Sequence, residues 1–324
     1  LVLYLGIIAV VTIVAATTVN LWFKQGIKNK IEIKDDPTNF KFLRYLAVFG
    51  IYCFGLLLIL LAFPSFKGLA QALLGGAGVI AIIIGVEKYE YLTNLDAAFA
   101  NRDANAFREY AIRALGIEPS IINLLIDKDA SRRKILRALK LWLPKVGGEN
   151  RDIYLFFAGH GLASDDGKNL YILPQDGDAS LLEDTAIKRS EIVKLLQKTN
   201  PKSVTMFFDT CYSGQTRNEE TLVANLRPVR IVADEQNMPN NFTVFTASAN
   251  DQTSGSINEA KQGMFSYYLM KGLEGKADEN KDKQITNREM IAYLKTNVSK
   301  EAFMQNREQD PMLSGDPDQV LMKY

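Results

Sequence analysis

The sequence predicts an α/β fold with a mostly parallel sheet, preceded by transmembrane helices. Three features carry this reading. Two long apolar runs without a charge open the chain, over residues 1–23 and 45–66. From residue 79, short apolar runs alternate with amphipathic helical patterns, as in a layered α/β domain. Several of those runs are continuously apolar rather than alternating, which marks strands covered on both faces.

At 1.5 Å per residue each opening run is long enough to cross a hydrocarbon core. Between them lie Lys24, Lys28, Lys30, Lys34, Lys41 and Arg44 with only three acids. Trp22, Tyr45 and Tyr52 fall where aromatic side chains sit at membrane interfaces. Region 1–68 thus reads as a membrane anchor, two helices and a basic loop, with the lipid bilayer as a partner. A cleaved signal followed by a buried helix is the alternative. Cys53, inside the second run, reads as a small packed hydrophobe. A third uncharged run, 68–86, turns β-branched after Gly75, Gly76 and Gly78, so VIAIIIG is read as a buried strand. The basic loop belongs in the cytoplasm. Two spans then place the C-terminal domain outside the cytoplasm, and three place it inside.

The 324 residues carry 38 Lys/Arg and 37 Asp/Glu, a net of +1. Residues 1–68 hold +4, leaving −3 for the remainder, so nucleic acid is not an expected partner. Two cysteines exclude a disulfide framework and a cysteine-built zinc site, and a single histidine excludes a His-rich metal centre. No cofactor is expected. The sequence leaves the oligomeric state open.

The elements follow in order. VIAIIIG (79–85) is a strand; 103–115 is an amphipathic helix with Asp103 as its cap and Gly116 as its stop. INLLID (122–127) is a short strand. Ser131 caps a helix that Pro144 ends. Strands follow at 152–159, 169–174, 203–209 and 242–248, and helices at 188–198, 263–274 and 287–304. Ligand sites in parallel sheets lie beyond the carboxyl ends of the strands. His160 directly follows one strand, in FFAGHGLAS, and Cys211 another, in FFDTCYSG. A thiol beside an imidazole can ionise and attack a carbonyl, and the imidazole can then protonate the leaving amine. Gly161, with its neighbour Gly159, allows close backbone approach, and the amides of Gly161 and Cys211 suit a developing oxyanion.

These motifs resemble those of caspase-like cysteine peptidases of the metacaspase and bacterial type. IIIGVEKYEYLTNLDAAFANRDANAF is similar to the family's first strand and loop, YLFFAGHG to its histidine segment and MFFDTCYSG to its cysteine segment. FTVFTASANDQTSG and GMFSYYLMKGLEGKA resemble the later strand and helix. The resemblance covers residues 78–324. It implies a caspase-like three-layer sandwich with a mostly parallel six-stranded sheet. The expected parts are a large-subunit-like part 78–213, a loop 214–241 and a small-subunit-like part 242–324. It also implies peptide-bond hydrolysis by a dyad of Cys211 and His160. Tyr212 stands where many metacaspases have His.

Asp209, two residues before Cys211, would favour a cationic P1 side chain, because Arg pairs bidentately with a carboxylate. The family's arginine- and lysine-specific members carry an acid at this place. Ser248 and Asp251, after the neighbouring strand, are further candidates for the pocket wall. The alternative for Asp209 is a carboxylate that holds its turn by accepting backbone amides. Arg102 falls where aspartate-cutting caspases use an arginine, but it reads as a surface residue. The long loop offers Arg217, Arg227 and Arg230 as self-cleavage sites. Asp278, Asn280, Asp282 and Glu289 occupy positions 1, 3, 5 and 12 of a calcium loop. Position 6 is Lys283 in place of the turn-making glycine, so a solvated turn between helices is preferred. The expected function is a cysteine endopeptidase acting on peptides with a basic P1. A silent caspase-like interaction module, an aspartate-specific peptidase and a thiol transamidase are the rivals.

Overall fold

The computed structural model describes residues 2–32, 38–61, 78–210, 212, 238–249, 252 and 254–323. Cys211, Arg217, Arg227, Arg230 and Asp251 lie outside the described residues. The chain forms two compact units, Leu1–Gly76 and Ala77–Tyr324.

The first unit is a pair of helices, α1 (Val2–Glu32) and α2 (Thr38–Leu61). Within α1, Gly6–Lys28 is long and apolar enough to cross a bilayer. Thr12, Thr17 and Thr18 each donate a hydroxyl to the carbonyl four residues earlier, so these three hydroxyls are satisfied within the helix. The helices touch where a Cβ on Gly55 would overlap the Thr12 side chain. Cys53 is exposed on α2 rather than packed, because the helix presents most of its apolar surface outward.

The second unit begins with β1 (Val79–Gly85), whose apolar run is almost wholly buried. It continues through α3 (Ala100–Arg113), β2 (Ile122–Ile126), α4 (Arg132–Arg137), a π-turn Ala138–Trp142 and α5 (Leu143–Val146). Then come β3 (Asp152–Ala158), β4 (Gly161–Ala163), β5 (Leu170–Ile172), α6 (Leu182–Thr185), β6 (Ile187–Lys188) and α7 (Arg189–Gln197). The remainder is β7 (Ser203–Asp209), β8 (Phe242–Thr246), β9 (Ser256–Ile257), β10 (Gln262–Gly263) and α8 (Met264–Lys271). It closes with β11 (Gln284–Thr286), α9 (Asn287–Met304), β12 (Met312–Ser314) and β13 (Val320–Lys323).

The main sheet has six strands in the order β12-β8-β7-β3-β1-β2, parallel except for β12 at one edge. The sequence reading missed β12, a three-residue strand with an exposed Met312 and no long apolar run. The run around 169–174 does form a strand, but β5 belongs to a separate three-stranded sheet with β4 and β6.

Right-handed crossovers fix the layers. β1 to β2 steps one way across the sheet, whereas β2 to β3 and β3 to β7 step the other way. The α3 crossover and those of α4 and α7 therefore cover opposite faces. Consistently, α3 packs on α8, and α8 on α9, while α7 packs on the π-turn. Phe107 of α3 stacks on Phe156 of β3 with centroids 4.5 Å apart. The whole is a three-layer α/β sandwich around a mostly parallel six-stranded sheet.

Three helix boundaries differ from expectation. Asp103 does not cap α3; Phe99 does, with a left-handed φ of 67°, and Asp103 is buried inside the helix. Ser131 holds the N-cap of α4 without a side-chain bond, and the first helical amide, that of Arg132, is taken instead by Asp176 at 2.6 Å. Pro144 does not stop the helix. The widened π-turn before it shifts the hydrogen-bond register, and Pro144 sits in the opening turn of α5, where its missing N–H costs little.

Candidate functional site

The register lines up the strand ends. Gly85 pairs with Ala158, Ala158 with Asp209, and Phe208 with Thr246. His160 lies two residues beyond Ala158, and Cys211 two residues beyond Asp209 in sequence. Adjacent strands of a sheet are about 4.8 Å apart. Cys211 itself lies outside the described residues.

His160 is buried, at 4% exposure. Its backbone N–H donates to the Tyr89 phenol oxygen at 2.6 Å, and its ring stacks on that of Tyr89 with centroids 4.8 Å apart and planes 27° apart. Its Nε2 lies 2.7 Å from the Leu95 carbonyl oxygen. A carbonyl can only accept, so Nε2 carries a proton, and in the neutral ring Nδ1 keeps the lone pair. The imidazole is therefore held as a base at Nδ1. Tyr89 and Leu95 both come from the loop after β1. Asp127, at the end of β2, pins that loop by accepting the Glu87 and Lys88 amides at 2.9 and 3.1 Å and the Asn101 side-chain amide at 2.5 Å.

Gly161 admits no side chain. A Cβ there would lie 2.6 Å from the Thr210 hydroxyl and 2.9 Å from the Tyr212 ring, so the backbone after His160 runs against the residues flanking Cys211. The buried Tyr212 ring lies beneath the Arg189 guanidinium at 5.7 Å, and Phe208 lies 6.0 Å from the same cation.

Asp209 is fully buried. Its Oδ1 accepts from the Ser254 hydroxyl at 2.9 Å; its Oδ2 accepts from the Ser266 hydroxyl at 2.5 Å and the Ser266 amide at 3.3 Å. A second fully buried carboxylate, Asp103, accepts the Gly263 amide on both oxygens at 3.1 Å. Both acids thus bond backbone amides around the N-terminus of α8, whose dipole favours negative charge. Asp103 had a signal in sequence: an acid on the stripe Ala100, Asp103, Ala104, Phe107 and Ala111 that α3 buries.

Ser248 is buried just beyond β8, and its hydroxyl donates to the Gln252 carbonyl at 3.3 Å. Gln309 braces this segment. Its side-chain amide donates to the Ala247 carbonyl at 2.9 Å and accepts from the Gly255 amide at 2.7 Å. No sequence pattern pointed to Gln309. Arg102 is exposed on α3.

The acidic loop before α9 lies elsewhere. Asp278 accepts the Lys283 amide, Asn280 the Asp282 amide and Asp282 the Gln284 amide, while Glu289 closes a capping box with Thr286. Lys283 adopts a left-handed φ of 65°, so lysine makes the turn that glycine usually makes. Among the described residues, no group of three His, Cys, Asp or Glu side chains is placed to hold a metal ion.

The sequence profile described as the caspase domain (peptidase C14) matches residues 79–321. Two solved structures are similar in fold. One is a structural-genomics protein of Geobacter sulfurreducens, 16% identical with a TM-score of 0.51, the match covering 76% of this chain and 97% of that one. The other is caspase-1 of Spodoptera frugiperda, 13% identical with a TM-score of 0.50, covering 75% of this chain and 88% of that one. No curated protein matches the chain in sequence.

Proposed function

Because the chain belongs to the caspase-domain family of cysteine peptidases, we propose that it is an endopeptidase that cuts after Arg or Lys with Cys211 as nucleophile and His160 as base. The observation that carries this is the register Ala158↔Asp209, which aligns the strand leading to His160 with the strand leading to Cys211. His160 Nδ1 takes the Cys211 thiol proton, and the thiolate attacks the scissile carbonyl. The amides of Gly161 and Cys211 receive the oxyanion. The tetrahedral intermediate collapses as the imidazolium protonates the leaving amine. Water, deprotonated by Nδ1, then hydrolyses the thioester and restores the thiol.

A buried carboxylate supports the basic P1. Asp209 already holds three hydrogen bonds, which fix its orientation, and a guanidinium or ammonium would supply the countercharge. Asp103 adds a second negative charge at the same helix end, with Ser248 and Asp251 as further wall residues. The reading divides the peptidase unit into 78–213, the loop 214–241 and 242–324, with Arg217, Arg227 and Arg230 as self-cleavage sites.

The test is a panel of fluorogenic peptides differing only at P1, turned over by the full chain in detergent. Cleavage after Arg and Lys is expected, abolished in Cys211→Ala and His160→Ala. In Asp209→Asn, kcat/KM for Arg is expected to fall about 100-fold, as when one partner of a buried charge pair is removed. Cleavage after Asp overturns the pocket assignment, and turnover surviving Cys211→Ala overturns the mechanism. Mass analysis of the wild-type and Cys211→Ala chains tests self-cleavage, since only the former should be cut after one of the three arginines.

A further inference from the structure

The peptidase unit carries a net charge of −3, but its cations are not spread evenly. Residues 131–146, SRRKILRALKLWLPKV, hold six Lys/Arg and no acid. Through α4, the π-turn and α5, Ile135, Ala138, Leu139 and Leu143 are buried against the core. Arg133, Arg137 and Lys140 point outward as one stripe, joined by Leu141, which is 58% exposed. A groove of about 520 Å³ flanks the stripe, lined by Arg133, Arg137, Trp142 and the edge of β2. A second, of about 420 Å³, is lined by Lys140 together with Glu191 and Lys194 of α7 and Lys198 at its C-cap. Lys140 pairs with Glu191 at 2.9 Å, and Lys134 pairs with Asp129. Arg133, Arg137, Lys194 and Lys198 have no ion pair among the described residues.

We propose that this face docks the peptidase unit on an anionic lipid surface. A solvated helix face in a domain of net negative charge has no reason to exclude acids over sixteen residues. Nor does simple solubility explain an exposed Leu141 and a groove-lining Trp142 among the cations. Cations that snorkel around an apolar centre match a bilayer of anionic headgroups over acyl chains. Gly78, where the chain enters the unit, abuts Arg151 at the amino-terminal edge of the sheet. The helical run ends at the same edge, where Gly147 meets Thr199 just after α7. His160 lies at the opposite, carboxyl-terminal edge. The run begins at the carboxyl-terminal edge, where the Arg132 amide meets Asp176, so the basic stripe crosses one face of the sheet from edge to edge. The inference does not rest on the catalytic reading.

Trp142 provides the probe, since Trp22 is the only other tryptophan. The full chain carrying Trp22→Phe is reconstituted in nanodiscs with a dansyl-labelled headgroup, in phosphatidylcholine alone or with phosphatidylglycerol. Energy transfer from Trp142 is expected to rise in the anionic discs. It should be lost near 1 M salt, where the Debye length is about 3 Å. It should also be lost in the variant Arg133→Glu/Arg137→Glu/Lys140→Glu, and reduced in Leu141→Ser. The salt dependence of the unreversed chain stands as a test even if the triple variant fails to fold. Equal transfer in neutral and anionic discs overturns the proposal. So does a response of Trp142 emission to soluble inorganic polyphosphate with none to phosphatidylglycerol, which would give the face to a soluble polyanion.

Discussion

Tyr89 holds His160 in two ways, and the two are separable by substitution. Its phenol oxygen accepts the His160 amide, and its ring lies flat against the imidazole. Tyr89→Phe keeps the ring and leaves a buried N–H without that acceptor, a cost of about 1–3 kcal/mol. On the proposed mechanism kcat should drop about 10-fold with KM little changed, because the base moves and the pocket does not. Tyr89→Leu also removes the stacked ring and should cost more. Steady-state kinetics on an Arg substrate separates these outcomes, and an unchanged kcat in both variants would show that Tyr89 does not position the base. At this scale the positions of His160 and Asp209 were legible, because each lies at or just beyond the end of a continuous apolar run, and the register sets those two ends side by side. Tyr89 and Leu95 were not legible, because they reach His160 across 71 and 65 residues through a loop with no periodic pattern. Asp103 was misread because an acid in the first turn of a helix satisfies the capping pattern as well as it satisfies a buried role.

Among the elements, the long central strands were read from their continuous apolar runs, whereas β12 is too short to carry such a signal. Helix ends were harder. The π-turn that lets Pro144 into a helix is a tertiary adjustment, and no local rule announces it. Two predictions belong here. Gly161→Ala places a Cβ against Thr210 and Tyr212, so the segment after His160 must move away from those two residues. Activity should vanish while far-ultraviolet circular dichroism stays native, and a fully active alanine variant would show that the close approach is dispensable. The second concerns the segment beyond β8. Hydrogen bonds from Ser299 and Gln252 hold the Asp310 carboxyl below the ordinary carboxylate range. A depressed folded pKa gives stability above the unfolded value, lost as pH falls through the folded one. The stabilisation is thus complete at neutrality and lost on acidification below about pH 4. Urea midpoints should decline over that window, with a shallower decline in Asp310→Asn; identical pH profiles would remove Asp310 from the account.

For the whole molecule, the two units expose apolar surface differently. The peptidase unit buries its apolar side chains on both faces of one sheet, as a water-soluble domain does. The helix pair does the reverse: Val10, Val11, Val14, Leu21 and Trp22 on α1 and Phe42, Leu46, Phe49 and Phe54 on α2 are all more than half exposed. Fully burying one such aliphatic or aromatic side chain is worth about 1.5–3 kcal/mol, so nine together leave unrealised a burial energy comparable to the whole stability of an ordinary domain. A bilayer supplies that burial without any further protein partner. The chain should therefore stay in the membrane fraction through alkaline carbonate and high salt and be released by detergent. Replacing Val11 and Val14 by lysine puts two charges inside the Gly6–Lys28 stretch, each costing up to about 3 kcal/mol, the value at a bilayer centre. That variant should shift toward carbonate-extractable material while its peptidase unit keeps the same urea midpoint. Carbonate extraction of the unaltered chain would mean that α1 and α2 cover their apolar surface on protein, and the anchor reading would fall.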